Sequence, residues 1–471
     1  MTSPPAAMTT SSARSRRPRP ASWPLTATLI ATSLGFGVIQ LDVTVVNVAV
    51  KQIGASFGGG ITGLQWVVSA YTLVLAALIL TAGALGDRFG AKRMLCTGFV
   101  VFTAASVLCG LSASMAMLIA ARAVQGLGAA LLGSCALALL NHSYTNPRGR
   151  TRAVGQFVAG ASAALSGGPV IGGFLIAAFG WRAIFFINVP LGAAGFWLAL
   201  RYAAETDRSA SRLVDTRGAV LATVALAGFA AAVIEAGTYG FTSPGVLAGL
   251  GCALAAAVAF VAVEARTASP MLPLALFRRV GFVSPVTIGF LVNVCFYGLI
   301  FLFSLLFQAQ QRMSALQTGL AFLPMTAAIL GANLISGRVN AAIGPQRAIL
   351  AGLGAMTAGC AGLLWVSPAT GYPAMLAQQL LLGGGLGTLV PPITSVLLAS
   401  AERSRSGVTS GALTAFRQAG SLLGVALFGS LAAADFFGGF HTALLISVVI
   451  LIVSAGVVVG AGAIGRRATA R

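Results

Sequence analysis

Charge is what this chain has least of. Only 8% of its residues are Asp, Glu, Lys or Arg and 57% are hydrophobic, far from the balance of a soluble domain. Acids are scarcest, with nine carboxylates against 29 basic residues. The only histidines, His142 and His441, are too few and too far apart for the acid-base or metal constellation of a membrane-bound enzyme. The six cysteines, at 96, 109, 135, 252, 295 and 360, show no CxxC spacing and read as small core residues. The phosphate-cradling string GxxxxGK followed by Ser or Thr is absent. No cofactor and no metal are expected.

Long apolar runs are abundant. Fourteen lie between 25 and 463, most of them able to cross roughly 30 Å of hydrocarbon at about 1.5 Å per residue. Barrel strands would be about 10 residues of alternating pattern. The expected fold class is an all-α polytopic membrane protein with fourteen transmembrane helices. The net charge of +20 raises a nucleic-acid reading, which the charge positions dismiss. With the N-terminus inside, Lys51, Arg182 and Arg312 fall outside, Arg122 and Arg417 fall within spans, and every other Lys and Arg falls in a cytoplasmic segment. This is the positive-inside asymmetry of a bilayer protein with both termini in the cytoplasm. The N-terminal SSARSRRPRPASW holds a twin arginine, but the apolar run after it is longer than a signal-peptide core. Residues 1–24 are therefore expected to form a disordered cytoplasmic tail.

The chain also repeats itself. Gly83, Gly90 and Arg93 match Gly337, Gly344 and Arg347 at a constant spacing of 254, and Arg152 and Gly167 match Arg405 and Gly420 at 253. Two related six-helix halves follow, at 25–203 and 282–463. A loop and two inserted helices (204–264) and a cytoplasmic linker (265–281) lie between them, and a short tail (464–471) ends the chain. Paired six-helix halves suit a transporter with a midplane site and alternating access.

Local strings are more specific. LDVTVVNVAV in span 1, GALGDRFGAKR after span 2, LIAARAVQGLGAA in span 4, SGGPVIGG in span 5 and WRAIFFINVPLG at span 6 resemble the motifs of the major facilitator superfamily. Taken with fourteen spans, they are similar to its drug:proton antiporter branch of EmrB/QacA type, in a compact form close to methylenomycin-resistance-type exporters. Lys51 stands where the span-1 motif usually has proline. The resemblance implies a proton-coupled antiporter that exports small amphipathic drugs or antibiotics, acting as a monomer. Export of a dedicated endogenous metabolite, with incidental drug resistance, is the alternative.

Asp42 and Arg122 are the expected proton-coupling residues. An arginine at helix centre costs about 2.5 to 3.5 kcal/mol even on insertion scales, so Arg122 needs a partner. Asp42 is the carboxylate expected deep in the same half. Burial favours the neutral acid and a neighbouring guanidinium the carboxylate, so a changing separation would load and release a proton. A permanently paired structural brace is the other reading. The resemblance assigns Gly83, Asp87, Arg88, Gly90 and Arg93 to a conformational latch, with Asp87 accepting from a neighbouring helix N-terminus. It also assigns Gly167, Gly168, Pro169, Gly172 and Gly173 to an antiporter motif that bends span 5 and packs it on the opposite half.

Substrate contacts are sought among polar and aromatic mid-span residues: Trp66, Tyr71, Asn293, Tyr297, Phe301, Asn333 and Arg417. Each is also compatible with plain packing. Arg417 is expected to pair with backbone carbonyls, to join a polar pocket, or to snorkel to the interface. Glu235 and Asp435 near the outer ends would attract cations or take a second proton, or would simply be solvated.

Overall fold

The computed structural model describes residues 23–58, 60–206, 215–267, 270–400 and 406–469. The expected tail over 1–24 falls almost wholly outside them. Fourteen long helices follow one another among the described residues. In the first half these are α1 Trp23–Phe57, α2 Ile61–Phe89, α3 Ala91–Gly110, α4 Met115–Ser143, α5 Pro147–Phe179 and α6 Ala183–Tyr202. Next come α7 Thr216–Tyr239 and α8 Pro244–Glu264. The second half holds α9 Val280–Gln310, α10 Ala315–Ile343, α11 Pro345–Trp365, α12 Tyr372–Ser400, α13 Ser406–Leu431 and α14 Phe436–Thr469. Thirteen of them have the length and sustained hydropathy of a membrane span. The remaining one, α13, is interrupted by Arg417 and Gln418. α14 continues as helix beyond the expected boundary at 463.

The two halves use one packing scheme. Within the first, α1 packs on α5 and α6, and α4 on α2 and α3; within the second, α9 packs on α13 and α14, and α12 on α10 and α11. Equivalent turns share their geometry as well. Gly90 (φ 101°) separates α2 from α3 and Gly344 (φ 82°) separates α10 from α11, a left-handed region in which a Cβ is strained. This is why the repeat at spacing 254 retains glycine at both places.

The broadest contacts between the halves are α2 against α13 and α5 against α10, and α1 also meets α9 and α10. The inserted pair lies to one side of this frame. α7 packs on both α2 and α13, α8 packs on α7, and only 17% of the apolar window of α8 is buried. Gly237 allows α7 to approach α13 closely, because a Cβ there would come within 2.9 Å of the Ser430 backbone. The linker between α8 and α9 folds back on the protein, carrying a short 3-10 turn at Leu274–Arg278 and burying Leu272 and Leu276.

Large apolar side chains such as Phe174, Trp197, Leu254, Leu334 and Val449 are exposed on the helix exteriors, as a lipid-facing surface requires. Fourteen alternating helices put the start of α1 and the end of α14 on one side. Arg88, Lys92, Arg93, Arg150, Arg201, Arg266, Arg278, Arg338 and Arg347 lie at that basic end, and Lys51, Arg182 and Arg312 at the far end.

Candidate functional site

α1 and α4 each bring one charge to the same buried point. Arg122 Nη1 donates to Asp42 Oδ2, with both side chains 1% exposed. The rest of the guanidinium is also committed: Nε donates to the Val67 carbonyl on α2 at 3.1 Å, and Nη1 also reaches Gln125 Oε1 at 2.7 Å. The other carboxylate oxygen, Oδ1, accepts from Gln125 Nε2 at 2.8 Å and from Asn188 Nδ2 at 3.3 Å. Ser106 on α3 accepts from the same two amides, at 2.9 and 3.3 Å. Tyr71 lies beneath the guanidinium, its ring centroid 4.3 Å from Cζ, a favourable cation-π arrangement. A buried ion pair is sustained only when such additional bonds satisfy both partners. Here α2, α4 and α6 supply them, and Ser106 of α3 holds the two amides.

Local sequence explains how the cluster assembles. Arg122 and Gln125 are three residues apart on α4 and so share a face. Asn188 follows a one-residue interruption of α6 at Ile187, between Ala183–Phe186 and Asn188–Tyr202. Close approach of α1 to α5 depends on the span-5 motif. A Cβ at Gly168 would meet Thr44 Oγ1 at 2.0 Å, and one at Gly172 would meet Val45 Cγ1 at 3.0 Å. On its other side the same stretch meets the opposite half, where Gly319 of α10 sits against the Pro169 carbonyl and Gly173 against Ala315. Gly167 touches only Ile171 of its own helix. α5 therefore connects the Asp42 helix to the second half, and runs as one helix through Pro169.

The far end is sealed. Ser304 donates to the Asn47 carbonyl, as does Gln308 Nε2 at 3.2 Å, and Gln308 Oε1 accepts from the Lys51 backbone N–H at 3.3 Å. A proline at position 51 would lack that donor. Gln308 lies in the π turn Leu306–Gln310 that ends α9. On the other seam Gln65 donates to the Val425 and Ala426 carbonyls at 3.1 and 2.8 Å. Along α5 and α10 the contacts continue through Ser166 Oγ to the Thr326 carbonyl at 2.9 Å and Asn333 Nδ2 to Ser162 Oγ at 3.5 Å. Further toward the basic end, a Cβ at Gly155 or Gly337 would meet nothing within 4 Å.

Gly411 of α13 packs on Leu80 of α2, and the α2–α3 turn lies further along α2 at Gly90. Asp87 is half-buried there, and Arg88 and Arg93 are exposed. Arg88 stands over the Phe89 ring at 5.3 Å. At the N-terminus of α3 the acceptor is Glu205, whose Oε1 takes the Lys92 N–H at 3.0 Å and whose Oε2 lies 3.7 Å from Arg93 Nε. A Cβ at Gly90 would collide with the same carboxylate, whereas Gly83 has only Ser134 Cβ at 3.9 Å.

The sequence-nominated substrate residues separate into groups. Tyr71 belongs to the Asp42 cluster. Tyr297 packs against the cores of both halves. Asn293 and Arg417 line one small cavity between α9, α12 and α13. Asn333 reaches Ser162 across the α5–α10 seam, and Phe301 is wholly buried in the second-half core. Trp66 turns away from all of these, packing with Val233, Ile234 and Ala426 toward α7. Arg417 is partly buried, and among the described residues its guanidinium makes no hydrogen bond and no ion pair. Glu235 is half-buried on α7, and Asp435 caps α14 by accepting from the Gly438 N–H at 3.0 Å.

Sequence reasoning passed over Gln125, Asn188 and Ser106. The three-residue spacing from Arg122 would have singled out Gln125; neutral Asn188 and Ser106 carry no comparable signal. Glu264, the last residue of α8, is 3% exposed. The folded-back linker covers it, with Leu272 N–H donating to Oε2 at 3.2 Å.

Comparison with known proteins agrees with this architecture. Residues 32–425 match the Major Facilitator Superfamily. The chain is 37% identical to the Multidrug resistance protein Stp of Mycobacterium tuberculosis over 412 residues, covering 86% of this chain and 76% of that protein. It is likewise 37% identical to the Methylenomycin A resistance protein of Streptomyces coelicolor over 401 residues, covering 85% and 84%. Among solved structures, the human organic anion transporter MFSD10 (TETRAN) superposes with a TM-score of 0.63 at 16% identity, covering 93% of this chain and 100% of that one; this likeness concerns the fold. The extent of the match, the two six-helix halves and the antibiotic-efflux relatives lead to one assignment: the chain belongs to the major facilitator superfamily and is a multi-pass membrane transporter.

Proposed function

We propose that this transporter exports small amphipathic drugs or antibiotics across the cytoplasmic membrane in exchange for protons, with its basic end in the cytoplasm. The observation that carries the reading is the Asp42–Arg122 cluster, a titratable carboxylate in the first-half core, packed through α5 onto the opposite half. Arg122, Gln125 and Asn188 all donate to the Asp42 carboxylate. Once protonated it no longer attracts Arg122 as an anion, and one of its oxygens becomes a donor facing amide donors. Proton binding therefore weakens the hold of α4 and α6 on α1. Because Gly168 and Gly172 press α5 on α1 while Gly173 and Pro169 press it on α10, a shift of α1 is felt at the seam between the halves.

The bonded far end supports a reading in which this state is closed there and substrate is loaded from the basic end. The α2–α3 junction, with Gly83, Asp87 and Arg88 at the end of α2, Gly90 at the turn and Arg93 at the start of α3, would close that end in the opposite state, and Glu205 caps its α3 side. The driving force suffices for a pump. One proton entering down one pH unit supplies about 1.4 kcal/mol, and about 100 mV adds roughly 2.3 kcal/mol. The sum sustains on the order of a 500-fold gradient of a neutral substrate at one-to-one exchange. Antibiotic-resistance proteins among the relatives favour drugs over a dedicated metabolite.

The test is efflux from proteoliposomes under an imposed pH gradient. Wild type is expected to couple efflux to proton entry, and the Asp42→Asn variant to fold and insert but lose coupling. Undiminished proton-driven efflux by that variant rejects the proposal.

A further inference from the structure

Two carboxyl groups meet outside the Asp42 cluster, at the basic end of the inserted helices. Asp215 caps α7, its Oδ1 accepting the Gly218 N–H at 2.8 Å. Glu264 ends α8, is buried, and accepts the Leu272 N–H at Oε2. One oxygen of each is left over, Asp215 Oδ2 and Glu264 Oε1, and both are buried without a donor. They share one space. A Cβ on Gly218 would lie 2.8 Å from each of them, and Asp215 stands against the Glu264 carboxyl.

Two acceptors cannot satisfy each other, and two carboxylates sharing a site away from water do not both stay ionised. Among the described residues no cation resolves the conflict: none of Arg88 on α2, Arg217 on α7 or Arg266, Arg278 and Arg279 in the linker is ion-paired with either carboxylate. One proton does resolve it, because it turns one oxygen into a donor to the other in a charge-assisted bond. The segment that this bond serves is the linker. Thr81 Oγ1 of α2 donates to Met271 Sδ at 3.3 Å, Leu272 and Leu276 enter the core, and the Phe277 ring packs 5.9 Å from that of Phe416 on α13. The linker thus touches both halves, and Glu264 is one of its anchors.

We propose that Asp215 and Glu264 form a second proton-binding site, in which one shared proton fastens the linker against α2 and α13. With the proton bound, the pair carries a single negative charge and Glu264 stays under the linker. When the proton leaves, two buried like charges repel, and Glu264 reaches water only by displacing the linker and giving up the Leu272 N–H. Docking of the linker is therefore complete at low pH and is lost as pH rises at the basic end. The site works without Asp42, whichever way transport is driven.

Infrared difference spectra of the purified full-length protein test it. At neutral pH, wild type minus Glu264→Gln is expected to show one C=O band of a protonated carboxyl group, replaced by carboxylate bands at alkaline pH. Asp215→Asn, whose amide donates to Glu264 in place of the proton, is expected to lose that band, and Asp42→Asn to keep it. Linker docking is read by the maleimide reactivity of Leu272→Cys in a background lacking the six native cysteines. Between neutral and alkaline pH this reactivity should rise severalfold more with Glu264 than with Glu264→Gln, which is isosteric with the protonated acid and controls for the thiol's own titration. Should Asp215→Asn not fold, the labelling comparison decides. Absence of the band at neutral pH, a band retained in Asp215→Asn, or the same labelling profile with Glu264 and with Gln overturns the proposal. A metal cation bridging the two carboxylates would leave no protonated band and so counts against it.

Discussion

Asp42 and Gln125 meet across the α1–α4 contact, with Gln125 Nε2 donating to Oδ1 at 2.8 Å while Arg122 takes Oδ2. The two oxygens are thus held by different groups, one neutral and one charged, and loss of either changes the site differently. Arg122→Gln leaves a buried carboxylate without its cation and is expected to cost about 3 to 5 kcal/mol, a lowered melting temperature in detergent. Adding Asp42→Asn to that variant should recover most of the loss. A double variant no more stable than Arg122→Gln alone would show that the pair is not the source of the cost.

Gln125→Leu removes a neutral partner and is expected to cost less, about 1 to 3 kcal/mol for the acceptor and donor left unpaired. Its informative consequence is in transport: with the Oδ1 donor gone, the pH dependence of coupled efflux is expected to differ from that of wild type. A pH profile superimposable on wild type would contradict that role.

The far-end seal predicts a labelling change. Gln308→Leu removes the bonds to the Asn47 carbonyl and the Lys51 N–H, worth about 0.5 to 1.5 kcal/mol each. A cysteine placed at Leu316, in a background lacking the six native cysteines, should react severalfold faster with an impermeant maleimide added from the far side. Unchanged labelling would mean that the seal does not depend on Gln308.

Close packing of α5 on α10 leads to a stronger expectation. A Cβ at Gly319 would stand 2.2 Å from the Pro169 carbonyl oxygen, a backbone atom that cannot turn aside. Gly319→Val is expected to abolish transport and to raise the same far-side labelling beyond the effect of Gln308→Leu. Full transport by this variant would show that the contact can open at no cost.

Glu205 caps α3, since its carboxylate accepts the Lys92 N–H at 3.0 Å. Glu205→Ala should lower stability by about 0.5 to 2 kcal/mol, in the range of other helix caps, and Glu205→Gln by less, because an amide oxygen still accepts. Equal melting temperatures for wild type and the Ala variant would contradict the capping role.

Much of this architecture is legible in the sequence because lipid admits so few solutions. Each crossing must be a long apolar helix, so counting apolar runs comes close to counting helices, and the glycines at 90 and 344 mark equivalent turns. The expense of a carboxylate and an arginine inside spans also made Asp42 and Arg122 stand out. What stayed hidden depends on rotation and on loops. Trp66 lies on α2 as expected, but the helix turns it toward α7, an orientation set by packing with Val233 and Ala426. Asn188 and Ser106 are neutral and cheap to bury when bonded, so composition does not expose them. The burial of Glu264 is not legible either, because nothing in the local string says that the linker will fold back and cover it.

The measurement that bears most directly on the mechanism is proton release from the purified protein when an exported compound binds, followed in weakly buffered solution for wild type and Asp42→Asn side by side. Wild type should release about one proton for each compound bound at the one-to-one exchange assumed above, and Asp42→Asn should bind the compound and release none. Equal release by the two proteins would contradict Asp42 as the proton carrier and leave its pair with Arg122 as a structural brace.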